Sequence, residues 1–346
     1  MKTEIQNYPT PKGSATLITL TNAKGASVSL CSIGAAIVAV NVPDKNGKMA
    51  DVVIGYAEPA SYLYDGPCSG KVPGRYANRI CKGHLVVEGN EYQLEINNGP
   101  NALHGGPEGF QNQIWETRVL EDGKVEFTYR AKDGEEHYPG NMEAKAIYTW
   151  SDDCTLSLDL YATTDTPTVV NLTNHAYFNL AGENSGSCLD QILWLNASRF
   201  LPTDETLIPT GELAPVKGTP MDFTTAHAIK DNIKADYEPL RIGKGYDHCF
   251  VVDNYQPGKE QLVAVLQDPE SGRKLEVFSN QPAAQVYTGN YLAGSPESKS
   301  GRLYNDYDAV AIECQDFPDA PNHPDFPSTE LKPGEEYHRT IRFRFS

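Results

Sequence analysis

The chain has 346 residues, of which 39% are hydrophobic and 22% are charged. This balance is typical of a globular protein with a sizeable core, and it excludes the disordered and membrane-spanning classes. The formal net charge of −17 opposes contact with phosphate backbones and anionic membranes, so we expect neither nucleic acid nor a membrane as a partner. A solvated surface explains that charge most simply, and it identifies no substrate.

Seven cysteines are spread along the chain without a Cys-x-x-Cys pair, which favours neither a zinc knuckle nor a disulfide framework. The first ten residues lack the apolar segment of a secretory leader, and no later stretch is long and apolar enough to span a bilayer. These features fit a reducing compartment, and we expect a cytoplasmic protein.

Period-two alternation of apolar residues recurs from one end of the chain to the other and predicts half-buried strands. It involves Val28 and Leu30; Val38, Val40 and Val42; Val125, Phe127 and Tyr129; Leu156, Leu158 and Leu160; Leu275 and Val277; and Ile341, Phe343 and Phe345. Turn dipeptides between these runs predict antiparallel hairpins. They are Asn46-Gly47, Gly89-Asn90, Asp122-Gly123, Ser271-Gly272 and Pro333-Gly334.

Helical periodicity is poor, with short candidates only near Glu58–Leu63 and Thr224–Asp231. The alternation of strand and helix that a parallel α/β sheet needs is therefore missing, and we expect an all-β fold. We find no linker or repeat, so residues 1–346 are predicted to form one domain. The apolar residues of the last strand predict that it pairs inside the sheet system and closes the fold.

Residue types suited to binding and protonating a sugar are scattered over turn-rich segments: Arg79, His104, His175, Asp247 and Glu313. Two imidazoles and a carboxylate are the groups needed for paired acid and base catalysis on a hydroxylated substrate. Each segment by itself also has a structural interpretation, such as a surface ion pair for the arginine or a histidine bonded within its own turn. Together they predict one polar pocket.

Glu313 follows the apolar run 309–312, so we expect it at the end of a buried strand, where burial can raise its pKa toward that of a useful base. The next segment contains Pro318, Pro321, Pro324 and Pro327, and is predicted to form a rigid wall near the pocket. Tyr177 and Phe178 are predicted to lie in the core rather than to hold a sugar.

Other chemistries were weighed on the same residues. His104, His175 and Glu313 could supply two nitrogens and one oxygen to a metal, but no His-x-His or His-x-x-x-His spacing supports that interpretation. The sequence also lacks a Gly-rich phosphate loop and a Gly-x-Ser-x-Gly elbow. We therefore expect no metal and no cofactor.

Five segments, in this order, resemble the aldose 1-epimerases, or galactose mutarotases: Gly74–Ile80, Leu103–Gly106, Thr173–Leu180, Gly245–His248 and Glu313–Ala320. The resemblance covers nearly the whole chain. It implies a large antiparallel β-sandwich and the interconversion of α- and β-anomers of free hexoses such as galactose and glucose.

The resemblance also implies roles for individual residues. Glu313 matches the base that takes the proton of the anomeric hydroxyl, His175 the acid that protonates the ring oxygen, and His104 an assisting group. The residues that match the family's hydroxyl-binding positions are Asn78, Arg79, Asp247 and Gln285.

Two positions depart from the family's pattern, Cys314 where threonine is usual and Asp316 where histidine or asparagine is more common. If Asp316 approaches Glu313, its charge would raise the pKa of the base further.

Two other functions stay open. An epimerase for a phosphorylated hexose would need a basic cluster, to which Arg75 and Arg79 could contribute. A non-catalytic sugar-binding protein could use the same fold, although it would not need both histidines and Glu313. The oligomeric state and the preferred sugar are not predicted.

Overall fold

Antiparallel strands make up nearly all of the regular structure in the computed structural model, which describes residues 1–346. The first thirteen strands are β1 (Lys2–Thr10), β2 (Gly13–Thr21), β3 (Ser27–Cys31), β4 (Ala36–Pro43), β5 (Met49–Asp51), β6 (Arg79–Ile80), β7 (His84–Val87), β8 (Asn90–Gln93), β9 (Ala102–Leu103), β10 (Glu116–Val119), β11 (Val125–Ala131), β12 (Met142–Trp150) and β13 (Thr155–Thr164). The others are β14 (Thr168–Val169), β15 (Tyr177–Phe178), β16 (Ile192–Leu195), β17 (Arg199–Phe200), β18 (Ala214–Pro215), β19 (His227–Ala228), β20 (Asp247–Val251), β21 (Gln261–Gln267), β22 (Lys274–Ser279), β23 (Ala283–Tyr287), β24 (Val310–Gln315), β25 (Glu330–Leu331) and β26 (Tyr337–Phe345).

Helices are few and short. The one α-helix, α1 (Glu238–Gly243), was not predicted from the sequence. The two predicted helical segments contain only single turns of 3₁₀-helix, at Pro59–Tyr62 and Ile229–Asp231. Further 3₁₀ turns lie at Cys81–Gly83, Phe110–Asn112, Glu135–His137 and Ala320–Asn322. The structure contains no helix with the length and apolar character that a membrane crossing requires.

Three large antiparallel sheets organise the strands. Their orders are β1-β2-β3-β4-β5, β10-β11-β12-β13-β26-β22-β21-β16-β19 and β15-β24-β23-β20-β17-β18. The six runs of alternating apolar residues all lie on strands of these sheets, which confirms the all-β prediction. Four of the five turn dipeptides lie at the turns of antiparallel hairpins, as predicted. These hairpins are β4–β5, β7–β8, β10–β11 and β21–β22. The prediction is wrong at Pro333-Gly334, because β25 pairs with β14 and β26 belongs to the nine-stranded sheet.

The last strand, β26, lies between β13 and β22 in the nine-stranded sheet, as predicted. Its inward rings meet the six-stranded sheet, since Phe178 of β15 packs against Phe343 and Phe345 with ring centroids 5.2 and 6.1 Å apart. Such face-to-face packing of two sheets around an apolar layer is the architecture of a β-sandwich. Phe178 is therefore a core residue, as expected.

Strand β24 shows how the fold places a polar group in the interior. Val310, Ile312 and Cys314 point into the main hydrophobic core, so period two sends Glu313 to the opposite face. All six residues of β24 are buried, because both faces of the strand are covered. Glu313 lies within the strand rather than at its end, since pairing continues to Gln315.

Candidate active site

One large cavity, of about 940 Å³, opens above the face of the six-stranded sheet that carries Glu313. It brings together six of the seven site residues that the sequence singled out, although they are far apart in the chain. The six that line the cavity are Asn78, Arg79, His104, His175, Asp247 and Glu313.

The floor of the cavity is built by sheet register. Gln285 of β23 lies directly opposite Glu313 of β24, and Asp247 of β20 lies directly opposite Tyr287 of β23. Because side chains two residues apart share a face, these four groups project to the same side of the sheet. The backbone hydrogen bonds of three adjacent strands therefore fix the spacing of the acidic groups.

Glu313 and His175 form a closely spaced, buried polar pair in the cavity. Glu313 Oε1 lies 3.5 Å from His175 Nε2, and the two side chains are only 2% and 6% exposed. Burial raises the pKa of Glu313 well above its ordinary value, and the nearby Asp247 raises it further while Arg79 opposes this. Burial also lowers the pKa of His175 to about 4. Burial therefore favours the protonated carboxyl of Glu313 and the neutral ring of His175 in the empty site, with one titratable proton between them.

His175 is held by backbone hydrogen bonds on both of its sides. Its N–H donates to Lys71 O at 2.8 Å, and its carbonyl accepts from Gly70 N at 2.9 Å. The neighbouring Asn174 donates its side-chain amide to Gly70 O at 2.7 Å. Tyr177 lines the cavity, with its ring centroid 4.9 Å from that of His175, so it is both a core residue and part of the site.

His104 lies in a turn with positive φ angles, where the following residue must be glycine. The backbone N–H of Asn78 donates to His104 Nδ1 at 3.1 Å, so a neutral ring carries its hydrogen on Nε2. Burial lowers the pKa of His104 well below its ordinary value, and nearby His175 and Arg79 lower it further. Gly105 follows with φ of +79°, and a Cβ there would lie 2.0 Å from the carbonyl oxygen of Gly74. The glycine thus lets the imidazole approach the Gly74–Arg79 segment.

Arg79 and Asp247 form the polar side of the cavity. Arg79 Nε donates to Asn98 Oδ1 at 3.0 Å, and its Nη2 lies 3.7 Å from Asp247 Oδ2. Gln285 donates from Nε2 to Asp247 Oδ1 at 2.6 Å and is not among the cavity-lining residues. Gln285 shares the face of the sheet that carries Glu313 and Asp247, and its hydrogen bond orients the Asp247 carboxylate.

Arg75 points away from the cavity. Its guanidinium is buried, donates to Pro139 O at 2.6 Å and lies 5.6 Å from the ring centroid of Tyr138. The cavity lining accordingly has one guanidinium, that of Arg79. Four carboxylates line the same cavity: Asp65, Glu205, Asp247 and Glu313.

The prediction that residues 318–327 form a wall of the pocket is wrong, because none of them lines the cavity. Phe317, Ala320 and Phe326 pack in a small core with Cys249, Val251 and Ala283, on the same face of the six-stranded sheet as the cavity. The segment supports the site indirectly, since Asp319 N donates to the carbonyl of Arg79 at 2.9 Å.

Cys314 and Asp316 do not line the cavity either. Cys314 lies in the main core, and Arg339 lies 3.3 Å from the carboxylate of Asp316. Asp316 is not among the charges that shift the pKa of Glu313; Asp247 has that effect.

Sequence reasoning missed three groups at the site. Tyr287 lines the cavity two residues after Gln285, and the period-two rule applied to β23 would have found it. Lys71 and Asp65 form an ion pair below His175, and both side chains are completely buried. A single lysine between Gly70 and Val72 carries no sequence signal for burial.

Comparisons with known proteins identify the family of the chain. The sequence matches the family described as aldose 1-epimerase over residues 16–344. It is 43% identical to the galactose mutarotase of Sus scrofa, over 92% of this chain and 91% of that protein. It is 37% identical to the aldose 1-epimerase of Escherichia coli K12, over 95% of this chain and 94% of that protein.

Two solved structures are similar along nearly their whole length. The GalM/aldose epimerase homologue of C. elegans has a TM-score of 0.88 and 32% identity, with 96% of this chain and 99% of that chain covered. The galactose 1-epimerase of Lactobacillus acidophilus has a TM-score of 0.87 and 29% identity, with 100% and 99% covered. The chain therefore belongs to the aldose 1-epimerase family and is an isomerase of the mutarotase type.

Proposed function

We propose that this enzyme interconverts the α- and β-anomers of free hexoses such as galactose and glucose, using side chains of the cavity as acid and base. The observation that carries the proposal is the buried pair of Glu313 and His175, 3.5 Å apart inside a cavity large enough for a sugar. The relatives named galactose mutarotase and aldose 1-epimerase support the same substrate class.

In the proposed reaction Glu313 takes the proton of the anomeric hydroxyl while His175 gives a proton to the ring oxygen. The bond between the anomeric carbon and the ring oxygen breaks and leaves an open-chain aldehyde. Rotation about the bond next to the aldehyde exposes its other face, and closure with both proton transfers reversed gives the opposite anomer. His104 supports the ring oxygen through Nε2–H, the hydrogen that the contact from Asn78 leaves available.

The proton count of the pair suits this mechanism. The reaction needs an ionised carboxylate and a protonated imidazole, which together hold one proton, the same number as the two neutral groups. When a polar substrate enters, a proton transfer from Glu313 Oε1 to His175 Nε2, 3.5 Å away, therefore produces the ionised base and the protonated acid. Positioned acid and base groups typically accelerate such a reaction by about 10²–10⁴-fold.

Asn78, Arg79 and Asp247 are proposed to hold the sugar hydroxyls, and Gln285 is proposed to contribute by orienting Asp247. An uncharged polyol offers no strong electrostatic handle, so it must be held by several directed hydrogen bonds. The amide of Asn78, the guanidinium of Arg79 and the carboxylate of Asp247 supply such donors and acceptors.

The two competing functions have less support. A phosphorylated hexose would bring a dianion to a cavity whose only guanidinium, that of Arg79, already lies beside Asp247, and the carboxylate of Glu205 adds Coulomb repulsion. A binding protein would gain nothing from a desolvated acid–base pair, which costs stability.

We also propose a cytoplasmic location without nucleic-acid or membrane partners. The seven cysteines are free thiols, which suits a reducing compartment, and the net charge of −17 repels polyanions.

Polarimetry on freshly dissolved α-D-galactose and α-D-glucose, with a chelator present throughout, tests the proposed function. We expect faster decay of the optical rotation than in buffer, with no loss on adding the chelator. Decay at the buffer rate for both sugars would contradict the proposal, and inhibition by hexose phosphates would favour the phosphorylated alternative.

A further inference from the structure

A completely buried ion pair lies next to the proposed acid. The side chains of Lys71 and Asp65 contact each other and are both 0% exposed. Lys71 Nζ also donates to Tyr62 O at 2.7 Å and to Asn112 Oδ1 at 3.1 Å. Removing two charges from water costs several kcal/mol for each ion, and the attraction between them often fails to compensate for it. Stability alone is therefore a poor explanation for this pair.

Backbone hydrogen bonds connect the segment that carries Lys71 to His175. Lys71 O accepts from His175 N at 2.8 Å, and Gly70 N donates to His175 O at 2.9 Å. Asp65 is one of the residues that line the cavity. The contacts of the Lys71 ammonium thus hold residues 70–71 in place, and these two residues bind the backbone of His175.

Each partner of the pair also has hydrogen bonds of its own. Asp65 Oδ2 accepts from the Tyr56 hydroxyl and from Ser69 N, both at 2.8 Å. The carbonyl of Tyr62 and the amide oxygen of Asn112 accept from the ammonium of Lys71. Each charge therefore keeps partners of its own when the other is removed.

We propose that the buried Lys71–Asp65 pair is a positioning element for His175, which holds the backbone of the histidine and sets its electrostatic surroundings. The inference builds on the acid role proposed above for His175. Lys71 and Asp65 touch no reacting atom in this scheme and act only through the histidine.

The two charges act on His175 with opposite signs. Asp65 raises the pKa of the ring and Lys71 lowers it, against the larger lowering by burial. Titratable or charged groups around the ring come from several elements: Glu313, Asp247, His104, Tyr177, Tyr287, Cys68, Asp65 and Lys71. Only the last two belong to the pair, so changing them leaves the proposed acid, base and hydroxyl-binding residues intact.

Lys71→Met leaves the Asp65 carboxylate beside the ring, so the titration midpoint of His175 should rise. Asp65→Asn leaves the Lys71 ammonium, so the midpoint should fall. We expect movements of roughly one pH unit in opposite directions, the size typical of a neighbouring buried charge. In the double variant the two effects cancel, whereas kcat falls on the order of tenfold because the anchor is lost.

The test combines NMR titration of the His175 imidazole in the free enzyme with the pH dependence of kcat/KM from polarimetry. Lys299→Met is the matched control, because Lys299 also binds an aspartate, Asp51, and two backbone carbonyls, those of Val38 and Val53. It should leave the His175 midpoint unchanged.

Opposite movements of the NMR midpoint in the two single variants support the inference. If kcat/KM does not follow them, the inference stands and the acid role of His175 fails. An unmoved midpoint, or movement in the same direction in both variants, overturns the inference. If the single variants do not fold, the double variant decides: a kcat equal to that of the wild type would show that the pair does not place His175.

Discussion

At the scale of single residues, Glu313 and His175 are each buried in a form that is inactive by itself. Burial favours the protonated carboxyl and the neutral ring, whereas a base must start ionised and an acid must start protonated. Because the two groups lie 3.5 Å apart, moving one proton from Glu313 to His175 converts the neutral pair into the reactive one. The desolvation that makes the pair reactive also costs folding free energy.

That cost gives a pH-dependent prediction for Glu313→Gln. Since the pKa of Glu313 is raised in the folded state, folding above pH 4–5 must return a proton to this carboxyl, and the glutamine variant avoids that uptake. The variant should match the wild type near pH 4 and become more stable than it as pH rises. The difference should grow by about 1.4 kcal/mol per pH unit until the folded-state pKa of Glu313 is reached.

Urea denaturation of both proteins at pH 5, 6, 7 and 8 measures this difference. A constant difference, or one that shrinks as pH rises, would show that Glu313 is ionised in the folded protein.

The sequence predicts site residues better than it predicts their contacts. Glu313, His104 and His175 line one cavity because strand periodicity and turn residues place them there, and both signals are local. Gln285 was expected to bind substrate, but its hydrogen bond to Asp247 was not predicted, since it joins two strands whose residues lie 38 positions apart. Burial of Lys71 was not predictable, because the groups that compensate its charge lie up to 41 residues away in the chain.

At the scale of elements, the Gly74–Arg79 segment is braced from behind by the proline-rich segment after β24. The hydroxyl of Tyr76 donates to Phe317 O at 2.8 Å and accepts from Ala320 N at 3.2 Å. Tyr76 is fully buried, so no water can replace these bonds without rearrangement. The prolines predicted a rigid segment near the pocket, but not that the segment would contact Tyr76.

Tyr76→Phe should destabilise the protein and loosen the arginine segment. The change leaves a carbonyl and an N–H buried without a partner, at a cost of roughly 1–3 kcal/mol in the free energy of unfolding. KM for the sugar should rise more than kcat falls, because Arg79 is proposed to bind rather than to react. Chemical denaturation and polarimetry measure both effects. Tyr8→Phe on the edge strand β1 is the control, and equal effects of the two changes would contradict the bracing role.

At the scale of the whole molecule, β26 connects strands from distant parts of the chain in one sheet. It lies between β13 and β22, and its Phe343 ring packs against Phe178, the neighbour of Tyr177 in the cavity wall. The alternation of apolar residues predicted the strand, whereas its pairing with β13 joins residues more than 170 positions apart, which no local pattern encodes. We propose that residues 1–346 form one cooperative domain for this reason.

Phe343→Ala should therefore lower the stability of the whole molecule. Phe343 is completely buried, and such a truncation typically costs about 3–5 kcal/mol. Thermal unfolding followed by both near- and far-UV circular dichroism should show one transition at a lower temperature. Arg344→Ala, on the same strand with its side chain 45% exposed, should cost less than about 1 kcal/mol. Two separate transitions would contradict a single domain.

The most direct test of the account compares the turnover of Glu313→Gln with that of Glu183→Gln, using polarimetry on α-D-galactose at pH 7. Glu183 is also a buried glutamate, but it accepts from the Tyr304 hydroxyl and does not line the cavity. We expect Glu313→Gln to lower kcat by about 10²–10⁴-fold and Glu183→Gln to retain wild-type turnover. Wild-type turnover in folded Glu313→Gln would contradict the assignment of the base.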